Sequence, residues 1–175
     1  MEKLVLRAAA IGDAEAIAAI YRPAVLEGTA SFEIDPPDGA EMSQRMTAIT
    51  TAGYPCLVAE RAGVIIGYGY FSAYRTRPAY RWSVEDSIYL APAAQGLGAG
   101  RLLLERLIEM ATEQGFRQMV AVIGDSRQYP SIRLHRACGF HFAGTLHAIG
   151  YKHGGWLDGV MMQRPLGDGD TTAPG

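Results

Sequence analysis

Apolar positions along the chain change their spacing several times, and each change marks a new element. Leu4 to Arg7 predicts a short first strand. Asp13 stands as an N-cap ahead of Ile17, Ile20 and Tyr21, which repeat at helical spacing until Pro23 predicts an end or a bend. A loop from Glu27 to Pro37, closed by two prolines, carries Phe32 in otherwise polar company. Met42, Met46 and Ile49 predict a core-facing helix over 39–51, with Gly53 beyond its end. Pro55–Arg61 and Val64–Phe71 flank Ala62-Gly63 and predict a hairpin, and Trp82–Leu90 predicts a long antiparallel strand.

Downstream, Leu103, Leu104, Leu107, Ile108 and Ala111 share one helical face, and Gly115 closes that helix with Phe116 behind it. Met119–Ile123 is an unbroken apolar run, as for a strand buried on both faces. A short helix over 131–138 stops at Gly139, and strands over 143–151 and 156–164 are joined by Lys152-His-Gly-Gly155. Trp82 and Trp156 read as core. With no repeat and no linker, residues 1–166 form one α/β (α+β) domain, and the polar segment 167–175 is expected to be a disordered tail.

Composition narrows the class. A chain of 175 residues, 49% hydrophobic and 19% charged, is long enough for a sizeable core. A net charge of −2 speaks against a general nucleic-acid binder. No apolar stretch reaches membrane-spanning length, and no basic-then-apolar leader opens the chain. Cys56 and Cys138 sit in apolar contexts without CxxC spacing, so no disulfide framework and no metal site is expected, and the expected location is a reducing cytoplasm.

Between the strand ending at Leu90 and the helix that follows lies Gln95-Gly-Leu-Gly-Ala-Gly100. A turn of this kind leaves backbone N–H groups unpaired at the positive end of a helix, where they can hold a phosphate. Gly96, Gly98 and Gly100 have no Cβ to keep such a group away. The dinucleotide spacing and the GK[ST] of a P-loop are both absent. Some thirty residues on, Gln128-Tyr-Pro-Ser131-Ile-Arg-Leu-His135 runs into Gly139-Phe140, with Ser131 and His135 one helical turn apart on one face.

Q-x-x-G-x-G opening a helix, followed by this second motif, resembles the GNAT superfamily of N-acetyltransferases. That resemblance implies a mixed, mostly antiparallel sheet flanked by about four helices, and acetyl-coenzyme A as co-substrate. It assigns coenzyme binding to Ile88, Tyr89 and Leu90, to Gln95, Gly96, Leu97, Gly98, Ala99, Gly100 and Arg101, and to Gln128 and Ser131. Gln128 departs from the Asn usual at its position. The block Arg75-Thr-Arg77-Pro-Ala-Tyr80-Arg-Trp82-Ser-Val-Glu85-Asp-Ser, the early Thr29-Ala-Ser-Phe32-Glu and the late Tyr151-Lys-His-Gly-Gly-Trp156 are similar to the phosphinothricin N-acetyltransferase family, across nearly the whole chain.

The implied acceptor is a small amino-acid-like molecule of the phosphinothricin, methionine sulfoximine or methionine sulfone type, bound by Phe32, Arg75, Arg77, Tyr80, Glu85 and Tyr151. An α-amino group is mostly protonated at neutral pH, so acetylation needs a base. Glu85 matches the family's proposed base, and Asp86 points to the opposite face by strand alternation. A backbone N–H near Tyr89–Leu90 suits the carbonyl oxygen, and His135 is the candidate acid for the departing thiolate, with base as its alternative role. Lys152 and His153 edge either the pocket or a subunit contact. The resemblance also implies a homodimer and no nucleic-acid or membrane partner. Another amine, such as a protein N-terminus or a polyamine, and a non-catalytic coenzyme-binding domain are the rival readings.

Overall fold

The computed structural model, which describes residues 3–175, is organised by one seven-stranded sheet. Met1 and Glu2, counted in the expected domain, lie outside the described residues. The strands are β1 (Leu4–Ala8), β2 (Cys56–Arg61), β3 (Val64–Ala73), β4 (Ser83–Leu90), β5 (Gln118–Gly124), β6 (His141–Lys152) and β7 (Gly155–Pro165), in the order β1-β2-β3-β4-β5-β7-β6. Every neighbouring pair is antiparallel except β4 and β5. Four helices complete it: α1 (Ala14–Leu26), α2 (Gly39–Thr51), α3 (Ala99–Glu113) and α4 (Tyr129–Ala137). This is the mixed, mostly antiparallel architecture that the resemblance implies.

Tight turns set the registers. Ala62 and Gly63 have φ of 52° and 76°, and His153 and Gly154 have 52° and 75°, the paired positive values that close a two-residue hairpin. Lys152 and Gly155 therefore end strands rather than form the turn. One face of the sheet packs on α3, where Leu103, Leu104 and Leu107 are fully buried with Phe71, Val84 and Met119. The other packs on α1 and α2, where Ile17, Val25, Met42 and Met46 meet Val58 and Tyr68. Each fully buried Leu of this kind stabilises the fold by about 1.5–3 kcal/mol.

Several expectations change. Pro23 does not end α1, because it sits in the last turn and forgoes a single helical bond, while its carbonyl accepts from Glu27 and Gly28 N–H at 2.9 and 3.0 Å. Asp13 stands at the N-cap position of α1 but gives it no side-chain bond. Its carboxylate accepts from Ala10 N–H and pairs with Arg7, both at 2.7 Å. α2 is capped by Asp38, which accepts from Glu41 N–H at 2.8 Å. β5 is buried on one face only, with Val122 44% exposed. Trp156 lies outside the core at 69% exposure, its ring against Tyr151. The segment after Leu166 is held rather than loose: Arg117 donates to Gly169 O and to Thr172 Oγ1.

Candidate active site

The parallel pairing of β4 with β5 runs from Ser83–Gln118 to Asp86–Ala121 and stops. Beyond it the strands part, and a cavity of about 680 Å³ opens between them and runs to the glycine turn. Val122 is exposed because its side chain borders this opening. Ala91 N–H donates to Ile66 O at 2.9 Å, and Tyr74 N–H to Ser83 O at 3.1 Å. These bonds place the odd-numbered peptide groups of β4 toward β3. Alternation then turns the N–H groups of Ile88 and Leu90 into the cleft, past the last β5 partner. Tyr89 directs its N–H to β3 and its ring to Tyr21 and Tyr68, with centroids 4.7 and 5.5 Å away.

At the far end of the cleft, Gly96 and Gly98 hold φ of 79° and 86°, a region costly for a residue with a Cβ. The first helical bond of α3 runs from Leu102 N–H to Gly98 O at 3.1 Å. The N–H groups of Ala99, Gly100 and Arg101 therefore precede the ladder and project from the helix end. Gly100 serves packing instead, since a Cβ there would stand 3.3 Å from both Leu90 and Leu134. Gln95 and Arg101 line the same end of the cavity, and the Arg101 guanidinium pairs outward with Glu105 at 2.7 Å. Leu97 is 42% exposed on the turn.

The branch point carries the ionisable groups. Asp86, the last β4 residue paired to β5, lines the cavity, and its Oδ2 lies 3.0 Å from His135 Nε2. His135 Nδ1 lies 2.8 Å from Ser131 O. A carbonyl can only accept, so Nδ1 carries a proton and donates it to Ser131 O, and the Asp86 carboxylate accepts a hydrogen bond from Nε2–H. Burial alone would lower the His135 pKa, yet the bond and charge of Asp86, helped by Ser131 O, raise it above the usual value. Asp86 Oδ1 is buried without a partner among the described residues. His135 thus lines the cleft as half of a pair with Asp86.

Glu85 lies on the other face of β4, the one packed on α1. Burial raises its carboxyl pKa, the neighbouring Asp86 charge adds to this, and Arg75 partly offsets it. The two acids do occupy opposite faces, but it is Asp86 that lines the cavity. A gap between strands is bordered by both faces, which alternation along one strand does not reveal.

The loop after α1 covers this region. Phe32 rests on two glycines: a Cβ at Gly150 of β6 would stand 2.6 Å from its ring, and one at Gly124 of β5 2.9 Å. Phe32 stays 40% exposed, so it is both anchor and surface. Thr29 Oγ1 donates to Asp125 Oδ2 at 2.7 Å and accepts from Gln128 Nε2 at 3.1 Å. Gln128 therefore lines the cavity while its amide holds the loop. Tyr21 and Arg45 both bond Glu33, and Lys152 is buried against the loop's carbonyls.

The expected acceptor residues are more dispersed. Arg75 and Arg77 are exposed on the β3–β4 connection, with Arg75 over the Tyr74 ring and Tyr80 edge-on to it at 5.7 Å. Tyr151 is 59% exposed at the other side, against Trp156. None of Phe32, Arg75, Arg77, Tyr80, Glu85 and Tyr151 lines the main cavity, whose walls include Asp86, Ile88, Leu90, Gly98, Ser131 and His135. Sequence reasoning passed over Asp125 and missed the bonds of Asp86 and Thr29, because their partners lie 49 to 96 residues away.

Comparison with known proteins agrees with this layout. The profile of the Acetyltransferase (GNAT) family matches residues 18–140. A phosphinothricin N-acetyltransferase of Alcaligenes faecalis is 52% identical over 162 residues, 93% of this chain and 82% of that protein. An L-methionine sulfoximine/L-methionine sulfone acetyltransferase of Salmonella typhimurium is 40% identical over 163 residues, 93% of this chain and 95% of its own length. A crystal structure of a phosphinothricin acetyltransferase from Sinorhizobium meliloti in complex with AcCoA superposes with a TM-score of 0.95 at 51% identity, covering 98% of this chain and 93% of that one.

Proposed function

Since the chain belongs to the GNAT acetyltransferase family, we propose that it transfers an acetyl group from acetyl-CoA to the α-amino group of a small amino-acid-like acceptor. Phosphinothricin, methionine sulfoximine and methionine sulfone are the leading acceptors, by likeness to the relatives that bear those names. The observation that carries this reading is the branch: β4 leaves β5 after Asp86, with two peptide N–H groups turned into the gap and Glu85 on the opposite face.

The residues present suit acetyl-CoA. N–H groups of Ala99, Gly100 and Arg101, beyond the left-handed Gly96 and Gly98, suit a pyrophosphate. Ile88 and Leu90 offer peptide groups to an amide-bearing arm, and Ser131 and Gln128 border its path. When bound, acetyl-CoA supplies the acetyl group as a thioester. Glu85 takes the proton of the acceptor ammonium, directly or through one water, and its raised pKa makes it a stronger base than an ordinary carboxylate. The Leu90 N–H, turned into the cleft, would stabilise the charge that gathers on the thioester carbonyl oxygen. The Asp86–His135 pair holds protons at the closed end of the cleft and is assigned to the leaving thiol. Arg75 and Arg77 attract the acceptor's anionic side chain, with Tyr80 and Phe32 as flanking aromatic surface and Tyr151 on the far side of the last hairpin.

The homodimer reading is supported by the last hairpin, whose two faces together leave Phe142, Leu146, Ile149, Tyr151 and Trp156 each more than half exposed. Light scattering at micromolar concentration tests it. A cytoplasmic location is supported by two buried free thiols, Cys56 and Cys138. No helix among the described residues is long and apolar enough to cross a membrane.

The activity is tested by thiol release from acetyl-CoA across a panel of amino acids, a polyamine and a peptide N-terminus. Methionine sulfone and phosphinothricin should lead. Preference for the peptide or the polyamine would overturn the acceptor, and no release with any amine would leave a coenzyme-binding domain without catalysis.

A further inference from the structure

Lys152 is one of two lysines in the chain, and it is buried to 5% exposure at the end of β6. Its ammonium has no carboxylate within hydrogen-bonding reach among the described residues. Instead it donates to three main-chain carbonyls: Ser31 O at 2.7 Å, Gly28 O at 2.9 Å and Ala24 O at 3.3 Å. An ammonium has three protons, so all of them are used. Ala24 O belongs to the last turn of α1, where unpaired carbonyls carry the negative end of the helix dipole. Gly28 and Ser31 belong to the loop that seats Phe32 and Glu33. One cation thus fixes the exit of α1 and both sides of the loop bend.

We propose that Lys152 is a positioning residue for the acceptor: its ammonium clamps the 28–31 backbone so that Phe32 and Glu33 stand at a fixed place beside the Glu85 face of the cleft. The inference rests on the acetyltransferase reading above. A neutral amine keeps only two protons and a weaker dipole, so the clamp loosens when Lys152 is deprotonated. Burial lowers its pKa from the ordinary lysine value, and the negative charge of Glu33 holds it partly up. Facing it are Glu33 on the loop, Tyr21 on α1 and Arg45 on α2, both bonded to Glu33, and His153 on the hairpin, whose Nε2 lies 3.2 Å from Gly28 O. Arg45 stays charged and burial pushes Tyr21 up to about 12, above the lowered Lys152.

The test uses methionine sulfone and acetyl-CoA with the full chain. Lys152→Met should raise the KM for methionine sulfone by roughly tenfold or more, with the KM for acetyl-CoA within about twofold, because bonds from a charged donor to the loop alone are lost. Lys152→Arg should restore the acceptor KM and keep it constant at alkaline pH, where the wild-type value rises. Equal changes in both KM values, or an acceptor KM unmoved in Lys152→Met, would overturn the clamp. Hydrogen exchange of residues 27–34 needs no turnover and separates this inference from the activity itself. Faster exchange confined to that loop supports the clamp even if no amine is acetylated; unaltered protection overturns it. Should Lys152→Met fail to fold, wild type against Lys152→Arg carries the same measurement: loop protection falls at alkaline pH in the first and holds in the second, and parallel behaviour sinks the proposal.

Discussion

The proposed donor side and the proposed acceptor side of the cleft are built from different materials. The donor side, from the β4–β5 branch to the start of α3, is main chain: N–H groups of Ile88, Leu90 and the α3 entry, shaped by Gly96 and Gly98 in left-handed conformations. The acceptor side is side chain: Tyr21, Glu33, Arg45, Thr29, Asp125, Gln128 and Lys152 hold one loop from four directions. Backbone recognition depends on turn geometry and tolerates much change in side chains. A loop held by pairs of side chains can be repositioned by changing any one of them. The first suits a co-substrate that never varies, the second an acceptor that does.

Substitutions can break this division. The largest effect should come from Glu85→Gln, which removes the proposed base: turnover should fall by about 10²–10⁴-fold near pH 7 with acetyl-CoA affinity intact. Under the proposed mechanism Glu85 acts only when ionised. Because burial raises its pKa, activity should fall as pH is lowered at values above the ordinary carboxylate range. A pH–rate profile lacking that limb would remove Glu85 from the reaction.

Asp86→Asn comes next, since it leaves a buried imidazole without its carboxylate. Breaking such a pair costs about 3–5 kcal/mol of stability. The sign follows from the His135 pKa, which is raised in the folded state. Its stabilisation is therefore full below the unfolded pKa and lost as pH rises through the folded one. The gap in Tm between wild type and Asp86→Asn should narrow from pH 6 toward pH 9. A constant gap would mean that the pair carries no charge.

Gly98→Ala separates turn geometry from stability. A left-handed Ala costs about 1–2 kcal/mol, so the KM for acetyl-CoA should rise by roughly 5–30-fold with the acceptor's KM unmoved. Gly53 has the same φ of 86° far from the cleft, and Gly53→Ala should lower Tm alone. Smallest should be Arg75→Ala. Arg75 is exposed, so the KM of an anionic acceptor should rise only about two- to fivefold, measured against a neutral amino acid as control.

The donor side was also the more legible in the sequence, for the same physical reason. A left-handed turn needs glycine at fixed positions, so Gln95–Gly100, Ala62-Gly63, Gly115 and Gly139 announce themselves locally. Helical periodicity likewise exposed α2, α3 and their buried faces. What stayed hidden depends on contacts between distant residues. His135 could be placed on a helix face with Ser131, but its bond to Asp86 could not be foreseen from either neighbourhood. Lys152 read as an edge residue because nothing near it shows that three carbonyls from another part of the chain surround its ammonium. Pro23 misled because a proline in a helix's last turn forfeits so little, and Trp156 because a large aromatic on an outer hairpin has no local mark of exposure.

The seat of Phe32 has a consequence for how this site can be altered. Its ring fills the space that side chains at positions 124 and 150 would occupy, so the three positions act as one lock and key within a single chain. A lineage or a designer widening the acceptor's choice cannot enlarge either glycine first, because the ring blocks the way. Nor does trimming Phe32 alone redefine the surface, because it leaves a hole over bare backbone. Profitable variants lie two steps away, Phe32 reduced together with Gly150 or Gly124 enlarged, through singly changed intermediates that are worse than either end.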